Sequence, residues 1–395
     1  MYSCVIAGTG TLGMPHAVAQ TGWFGLLIIV LALFMSLTTG DMLVKCLYLK
    51  TDTRRSSYQH IAKDAYGRVG QSIAFAAVAV NLFGCAILYV ILASTLIQTM
   101  VSERTGVHEP VHLYVIACSF FVWVCLVSTK SMKEVAFLSI IGASATIVVM
   151  ITVGVSADMI RHRAEVTLRA THQLIDWSKL PISLATMSFT YGGNMVYPHI
   201  EQTMRYPRSW SKALWFALVA CFVLYFTIVV AGYTAFRNET VNPVLRNLLQ
   251  GAWQVIANSF IILHVILAAP IFLTSLSKMV EASISARCPS FVHGSSTGQQ
   301  FLKRAFPRTM IVCAVGLISS VVPYFGDGMD LLGALATCLL VFVMPILFYH
   351  RLGGLKNASL LSKIWAWFIC VVGLVALVMG TYDATKHLVD DIRNK

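Results

Sequence analysis

The sequence predicts an all-α polytopic membrane protein with eleven transmembrane helices. Two observations lead there. Of 395 residues, 57% are hydrophobic and only 12% charged, whereas a soluble domain carries about 25% charged residues. Apolar runs of roughly 20 residues also recur from end to end, the length that crosses a hydrocarbon core of about 30 Å. A water-soluble fold of this length would lack the charge to cover its surface, so residues 1–395 read as one transmembrane domain.

The expected spans follow the apolar runs. The first covers about Tyr2 to Gln20, the second Phe24 to Leu47, the third Gln71 to Met100 and the fourth Val111 to Val127. The fifth runs from Glu134 to Ala157, the sixth from Leu180 to Tyr197, the seventh from Ser209 to Phe236 and the eighth from Ala252 to Ile284. The ninth covers Thr309 to Val322, the tenth Met329 to Tyr349 and the eleventh Leu360 to Tyr382. Spans longer than about 25 residues accommodate by tilting.

Charge orients this series. With the N-terminus in the cytoplasm, most of the 29 Lys and Arg fall in inside loops. They cluster between Lys45 and Arg68, at Lys130 and Lys133, between Arg205 and Lys212, between Lys278 and Arg308, and between Arg351 and Lys363. The positive-inside rule then sets the C-terminus outside or in a lumen. The sequon Asn238-Glu239-Thr240 falls outside, where an acceptor must lie, and Asn357-Ala358-Ser359 falls inside. The net charge of +12 is accounted for by those loops. No basic tract longer than a pair occurs, so nucleic acid is not an expected partner.

The ten cysteines lie almost all in or beside apolar runs, with no CxxC or Cys/His spacing. They read as small packing residues, and neither a metal nor a cofactor is expected. The first residues lack a basic n-region and carry Gly8, Gly10, Gly13 and Pro15, so they read as a span and not as a cleaved leader. The chain enters that span at once, which raises the expectation of an incomplete N-terminus.

Spans one and six should break. Span one contains Gly8-Thr9-Gly10-Thr11-Leu12-Gly13-Met14-Pro15, and span six contains Ser188-Phe189-Thr190-Tyr191-Gly192-Gly193-Asn194 before Pro198. Glycine costs about 1 kcal/mol and proline about 3 kcal/mol in a helix interior. Breaks five spans apart imply two five-helix repeats running in opposite directions, about 1–157 and 179–350, with an extra helix at 360–383. Paired interruptions of this kind point to a substrate site at the midplane, though tight helix packing also favours glycine.

At these residues the chain resembles the amino acid/auxin permease family, a branch of the amino acid–polyamine–organocation superfamily. Gly8 to Ala17 followed by Gly22-Trp23 resembles that family's opening G-x-G-x-L-x-x-P-x-A … G-W. Ser57 to Ala62 with Tyr66-Gly67, Gly192 to Pro207, and Gly232 to Phe236 resemble its later signatures. The resemblance implies an inverted five-plus-five (LeuT-like) core, amino-acid substrates and coupling to H⁺ or Na⁺.

An amino acid is a zwitterion. Backbone N–H groups around Thr11 and Leu12 suit its carboxylate, while carbonyls near Ala7 and around Ser188 to Tyr191 suit its ammonium. Gly8, Gly10, Gly192 and Gly193 let substrate approach the main chain, Thr9 between the first two is a further substrate-binding candidate, and Phe189, Tyr191 and Asn194 shape a pocket. Asn81 is either a pocket wall or a buried amide bonding a neighbouring helix. His264, near the centre of span eight, is either a proton carrier or a neutral structural histidine. Glu201 and Arg205, four apart, form either an inner gate or a solvated helix-end pair. Asp327 and Asp330 are expected at the exposed outer end of span ten.

Sodium-coupled relatives tend to place a polar amide early in span one and a hydroxyl on span eight. Cys4 and Leu267-Ala268-Ala269 stand there instead, which favours H⁺, with Thr274, Ser275 and Ser277 keeping Na⁺ open. No HExxH motif or intramembrane carboxylate pair suggests an enzyme. A non-transporting amino-acid sensor of the same fold remains the rival class. The plasma membrane and the vacuolar or lysosomal membrane are both open. Lipid is the solvent, and oligomeric state is not encoded legibly.

Overall fold

The computed structural model describes residues 9–128, 132–161, 174–287 and 297–393. Among them the regular structure is entirely helical. In chain order the helices are α1 (Gly10–Thr21), α2 (Phe24–Lys45), α3 (Tyr58–Thr105), α4 (Val111–Ser128), α5 (Met132–Arg161) and α6 (Leu180–Thr190). They continue as α7 (Tyr197–Thr203), α8 (Trp210–Phe236), α9 (Ala252–Arg287), α10 (Thr297–Val321), α11 (Phe325–Leu332), α12 (Met344–Arg351) and α13 (Leu360–Arg393). This is the polytopic all-α class expected.

Six helical segments are long and apolar enough to cross a bilayer: Phe24–Lys45, Tyr58–Thr105, Pro207–Glu239, Ala252–Ile284, Phe325–Arg351 and Leu360–Arg393. Shorter apolar helices occupy Val111–Val127, Ile147–Met159 and Ala305–Val321. They coincide with nine of the expected spans. The other two, one and six, are the spans whose glycines and prolines argue against a continuous helix. α1 and α6 have 12 and 11 residues, or about 18 and 16 Å at 1.5 Å per residue.

α3 starts earlier than the expected third span because the amphipathic stretch from Tyr58 joins it through a kink. Gly67 there has φ +68°, in the left-handed region that glycine enters freely. Between α11 and α12 the chain is π-helical over Gly333–Thr337 and Leu339–Val343.

The helices group into two compact units. One comprises Leu82–Val149 and Gln250–Phe325. Within it α4 packs on α9 and α10, and the Trp123 indole donates to Thr309 at 2.9 Å. The other comprises the described residues up to Asn81, Met150–Leu249 and Gly326 onward. There α6 packs against α1, α13 and the π-helical segment, and α8 packs against α1 and α2.

Candidate functional site

Two helix ends meet in the second unit. Thr9 occupies the N-cap of α1, and Thr190 is the last residue of α6. The Thr190 hydroxyl lies 3.2 Å from the Gly10 carbonyl and 3.0 Å from the Thr186 carbonyl. A Cβ on Gly10 would stand 2.8 Å from Thr190 Cα, so only glycine lets the backbones approach this closely. Pro15 has no N–H, which deprives the Thr11 carbonyl of its usual donor four residues on.

Beyond Thr190 the helix stops. The chain passes through Tyr191 to Gly193, a 3₁₀ turn at Asn194–Val196 and then α7. The expected break in span six is therefore observed. In span one, α1 starts at Gly10, and Gly8 lies outside the described residues. The backbone freed at the span-six break closes partly on itself. The Gly192 N–H donates to Phe189, the Gly193 N–H to Tyr191 and the Val196 N–H to Gly193. The Tyr225 hydroxyl donates to the Thr190 carbonyl at 3.3 Å.

Polar atoms are buried without a protein partner among the described residues along both segments: the hydroxyls of Thr9, Thr11 and Tyr191, and Oδ1 of Asn194. Leaving such a group unpaired costs about 1–3 kcal/mol. Several of them lie together at the α1 start and the α6 end. The amide nitrogen of Asn194 is anchored, donating to the Val341 carbonyl at 3.1 Å. That bond fixes which way the free oxygen points.

Other expected residues have structural partners. The Leu12 N–H donates to the Thr9 carbonyl at 3.0 Å. The Ser188 hydroxyl lies 2.7 Å from the Ala185 carbonyl and 3.1 Å from the Gly333 carbonyl, which turns it toward the π-helical segment. Asn81 donates to the Thr337 hydroxyl at 2.9 Å, and a Cβ on Gly192 would meet Thr337 Cγ2 at 2.7 Å. Phe189 is half-buried. His264 belongs to the other unit, where it is buried beside the Tyr89 ring with Nε2 unpartnered.

Two expectations are corrected. Glu201 does not pair with Arg205, whose guanidinium lies over the Tyr206 ring. Glu201 is fully buried, and Arg54 donates to its Oε2 from Nε at 2.8 Å and from Nη2 at 2.5 Å. The Tyr48 hydroxyl donates to its Oε1. Burial first, and then the Glu201 carboxylate, raise the Tyr48 phenol above its ordinary range, so it stays a donor. Asp330 is not exposed either. It is 4% accessible and hydrogen-bonded to Thr186 on α6. Sequence spacing missed both pairings because the partners lie far apart in the chain. A carboxylate inside an apolar run was the available signal for Asp330.

Residues 1–386 match the family described as transmembrane amino acid transporter protein. The amino acid transporter AVT1C of Arabidopsis thaliana is 24% identical over 402 residues, spanning 99% of this chain and 69% of that protein. The amino acid transporter AVT1I of the same plant is 23% identical, over 98% of this chain and 93% of its own length. The vesicular inhibitory amino acid transporter of Homo sapiens is 25% identical, over 98% and 75%. These relatives are transporters, not enzymes.

Proposed function

The chain belongs to the transmembrane amino acid transporter family, and from that premise we propose that it is a proton-coupled secondary carrier of amino acids working by alternating access. One observation carries the substrate site. The α1 start at Gly10 and the α6 end at Thr190 touch, and buried polar atoms of Thr9, Thr11, Tyr191 and Asn194 have no protein partner nearby in the chain. An ammonium and a carboxylate on one small molecule can satisfy such a set. Thr11, freed of its helical donor by Pro15, offers a carbonyl to the ammonium, and α1 offers its positive end to the carboxylate.

In this reading the chain is a single eleven-span domain built on an inverted five-plus-five repeat, with a cytoplasmic N-terminus. It resides in a plasma, vacuolar or lysosomal membrane. The names of the relatives, amino acid transporters and a vesicular inhibitory amino acid transporter, support amino acids as the cargo class.

Sodium coupling is the second reading, and one observation favours it. The Thr274 and Ser277 hydroxyls on α9 are buried and unpartnered, and Na⁺ prefers hard oxygens. Uptake of a radiolabelled mixture of protein amino acids into proteoliposomes separates the two. An imposed inward pH gradient is expected to drive accumulation with or without Na⁺. Accumulation driven only by a Na⁺ gradient overturns proton coupling, and binding without flux overturns transport.

A further inference from the structure

Asp330 is a carboxyl group inside a helix bundle, with no ion-pair partner among the described residues. It is 4% accessible. A buried isolated carboxylate is costly, and such groups neutralise by binding a proton. Its partner is the Thr186 hydroxyl, which also lies 3.1 Å from the Ile182 carbonyl. A hydroxyl has one proton and cannot donate to both. With Asp330 protonated, the carboxylic acid donates to Thr186 and Thr186 donates to Ile182, so every group is satisfied. With Asp330 ionised, Thr186 must turn its proton to the carboxylate and abandon the carbonyl. The proton state of α11 is thereby read by α6.

The neighbours extend this in both directions. Toward the substrate site, the Thr190 hydroxyl, one turn along α6, lies within reach of both the Thr186 and Gly10 carbonyls and can donate to one of them at a time. The π-helical turn that follows Asp330 presses on α6, where a Cβ on Gly333 would stand 2.4 Å from the Ala185 carbonyl. Toward the membrane surface, Asp327 lies three residues back on the same face, and its carboxyl is hydrogen-bonded to that of Asp391 on α13. Asp391 is exposed, Asp327 half-buried and Asp330 buried, a graded line of carboxyls leading inward. The packed elements carry other ionisable groups: on α13, Asp383 is half-buried and Lys386, Asp390 and Arg393 are exposed. His16 on α1 meets the Thr240 carbonyl, and Lys179 meets His387 of α13. On α2, Asp41 and Lys45 pair with each other.

We infer that Asp330 takes up and releases the co-transported proton, with Thr186 passing its protonation state to the broken region of span six. The inference rests on the proton-coupled reading above. The step is a proton transfer only: the carboxylate gains a proton from water on the Asp391 side and, after the conformational change, releases it to water on the opposite side of the membrane.

The test uses the full chain in proteoliposomes, with a radiolabelled mixture of protein amino acids and an internal pH-sensitive dye. Asp330→Asn is expected to abolish accumulation driven by a pH gradient and amino-acid-dependent acidification, at least tenfold below wild type. Any remaining exchange should lose its pH dependence. Thr186→Val, which keeps the carboxyl, should retain coupling but shift the pH midpoint of uptake. Asp330→Glu should do the same, which covers the case in which Asp330→Asn is not inserted. Gradient-driven accumulation by Asp330→Asn, or an unmoved midpoint in both other variants, overturns the assignment while leaving proton coupling intact. A wild-type protein indifferent to the pH gradient overturns both.

Discussion

The guanidinium of Arg54 grips one oxygen of Glu201 through both Nε and Nη2, tying the segment after α2 to α7. Nη2 also reaches the Pro198 carbonyl, and the Tyr48 hydroxyl takes the other carboxylate oxygen. Removing one partner of a buried pair leaves the other charge uncompensated and costs about 3–5 kcal/mol. Arg54→Ala should therefore lower thermal stability in detergent clearly. Glu201→Gln should cost less, because the amide keeps an acceptor for Arg54. The double variant Arg54→Met with Glu201→Leu is expected to recover most of the loss. Additive losses in the double variant would show that the two residues act independently.

Gly10 sits where no side chain fits. A Cβ would lie 2.8 Å from a backbone atom of Thr190, which cannot swing aside as a flexible side-chain tip can. Gly10→Val should abolish uptake while the protein still reaches the membrane, as judged by surface or vesicle immunodetection. Gly193→Val should do likewise at the other segment. Normal uptake by both variants removes the substrate-site proposal.

Tyr191 offers a cleaner separation of binding from folding. Its hydroxyl is buried and unpartnered while its ring packs edge-on against Tyr225 at 5.4 Å. Tyr191→Phe keeps the ring contact. It should leave thermal stability unchanged or raise it by up to about 1 kcal/mol, since an orphaned polar group disappears. If the hydroxyl meets substrate, KM should rise roughly tenfold, the worth of one hydrogen bond of about 1.4 kcal/mol. A lower stability with unchanged KM assigns the hydroxyl to structure.

The Asn81 amide reaches span ten through the Thr337 hydroxyl, which itself lies 3.3 Å from the Leu332 carbonyl. Asn81→Leu removes the donor to that buried hydroxyl, which keeps only its longer bond to Leu332, and should cost about 1 kcal/mol. Thr337→Val in the same background should recover part of it. Comparing unfolding midpoints of the two single variants and the double variant measures the coupling.

Sequence was most informative where local chemistry decides the outcome. The apolar runs mark helices because their length and period are local properties, and Tyr191 to Gly193 interrupts α6 because glycine is a poor helix former wherever it stands. Partner choice was not legible. The four-residue spacing of Glu201 and Arg205 suggests a pair, yet a guanidinium 147 positions away holds the carboxylate. Asp330 lies five residues into its helix, so depth along the chain suggests exposure. It is buried because α6 packs over it, a tertiary fact that no local pattern carries. Ser188 illustrates the reverse case: a polar residue at a break that spends its hydroxyl on helix packing.

Orientation in the bilayer is testable at exposed loop positions. Glu239 and Lys356 are both exposed and lie after α8 and after α12. The positive-inside bias puts the first outside and the second in the cytoplasm. Glu239→Cys and Lys356→Cys, each on a background with the native cysteines replaced, provide the probes. A membrane-impermeant maleimide should label Glu239→Cys in sealed right-side-out membranes, and Lys356→Cys only after permeabilisation. Glycosylation is a weaker reporter in the folded protein. Thr240 of the sequon is buried, its carbonyl meets His16 at 2.6 Å and its hydroxyl donates to Arg237 at 2.7 Å, so modification at Asn238 would have to precede closure of that loop. The reverse labelling pattern would invert the chain. It would then put the Asp391 end of the carboxyl line on the cytoplasmic side and reverse the direction in which a proton gradient could drive uptake.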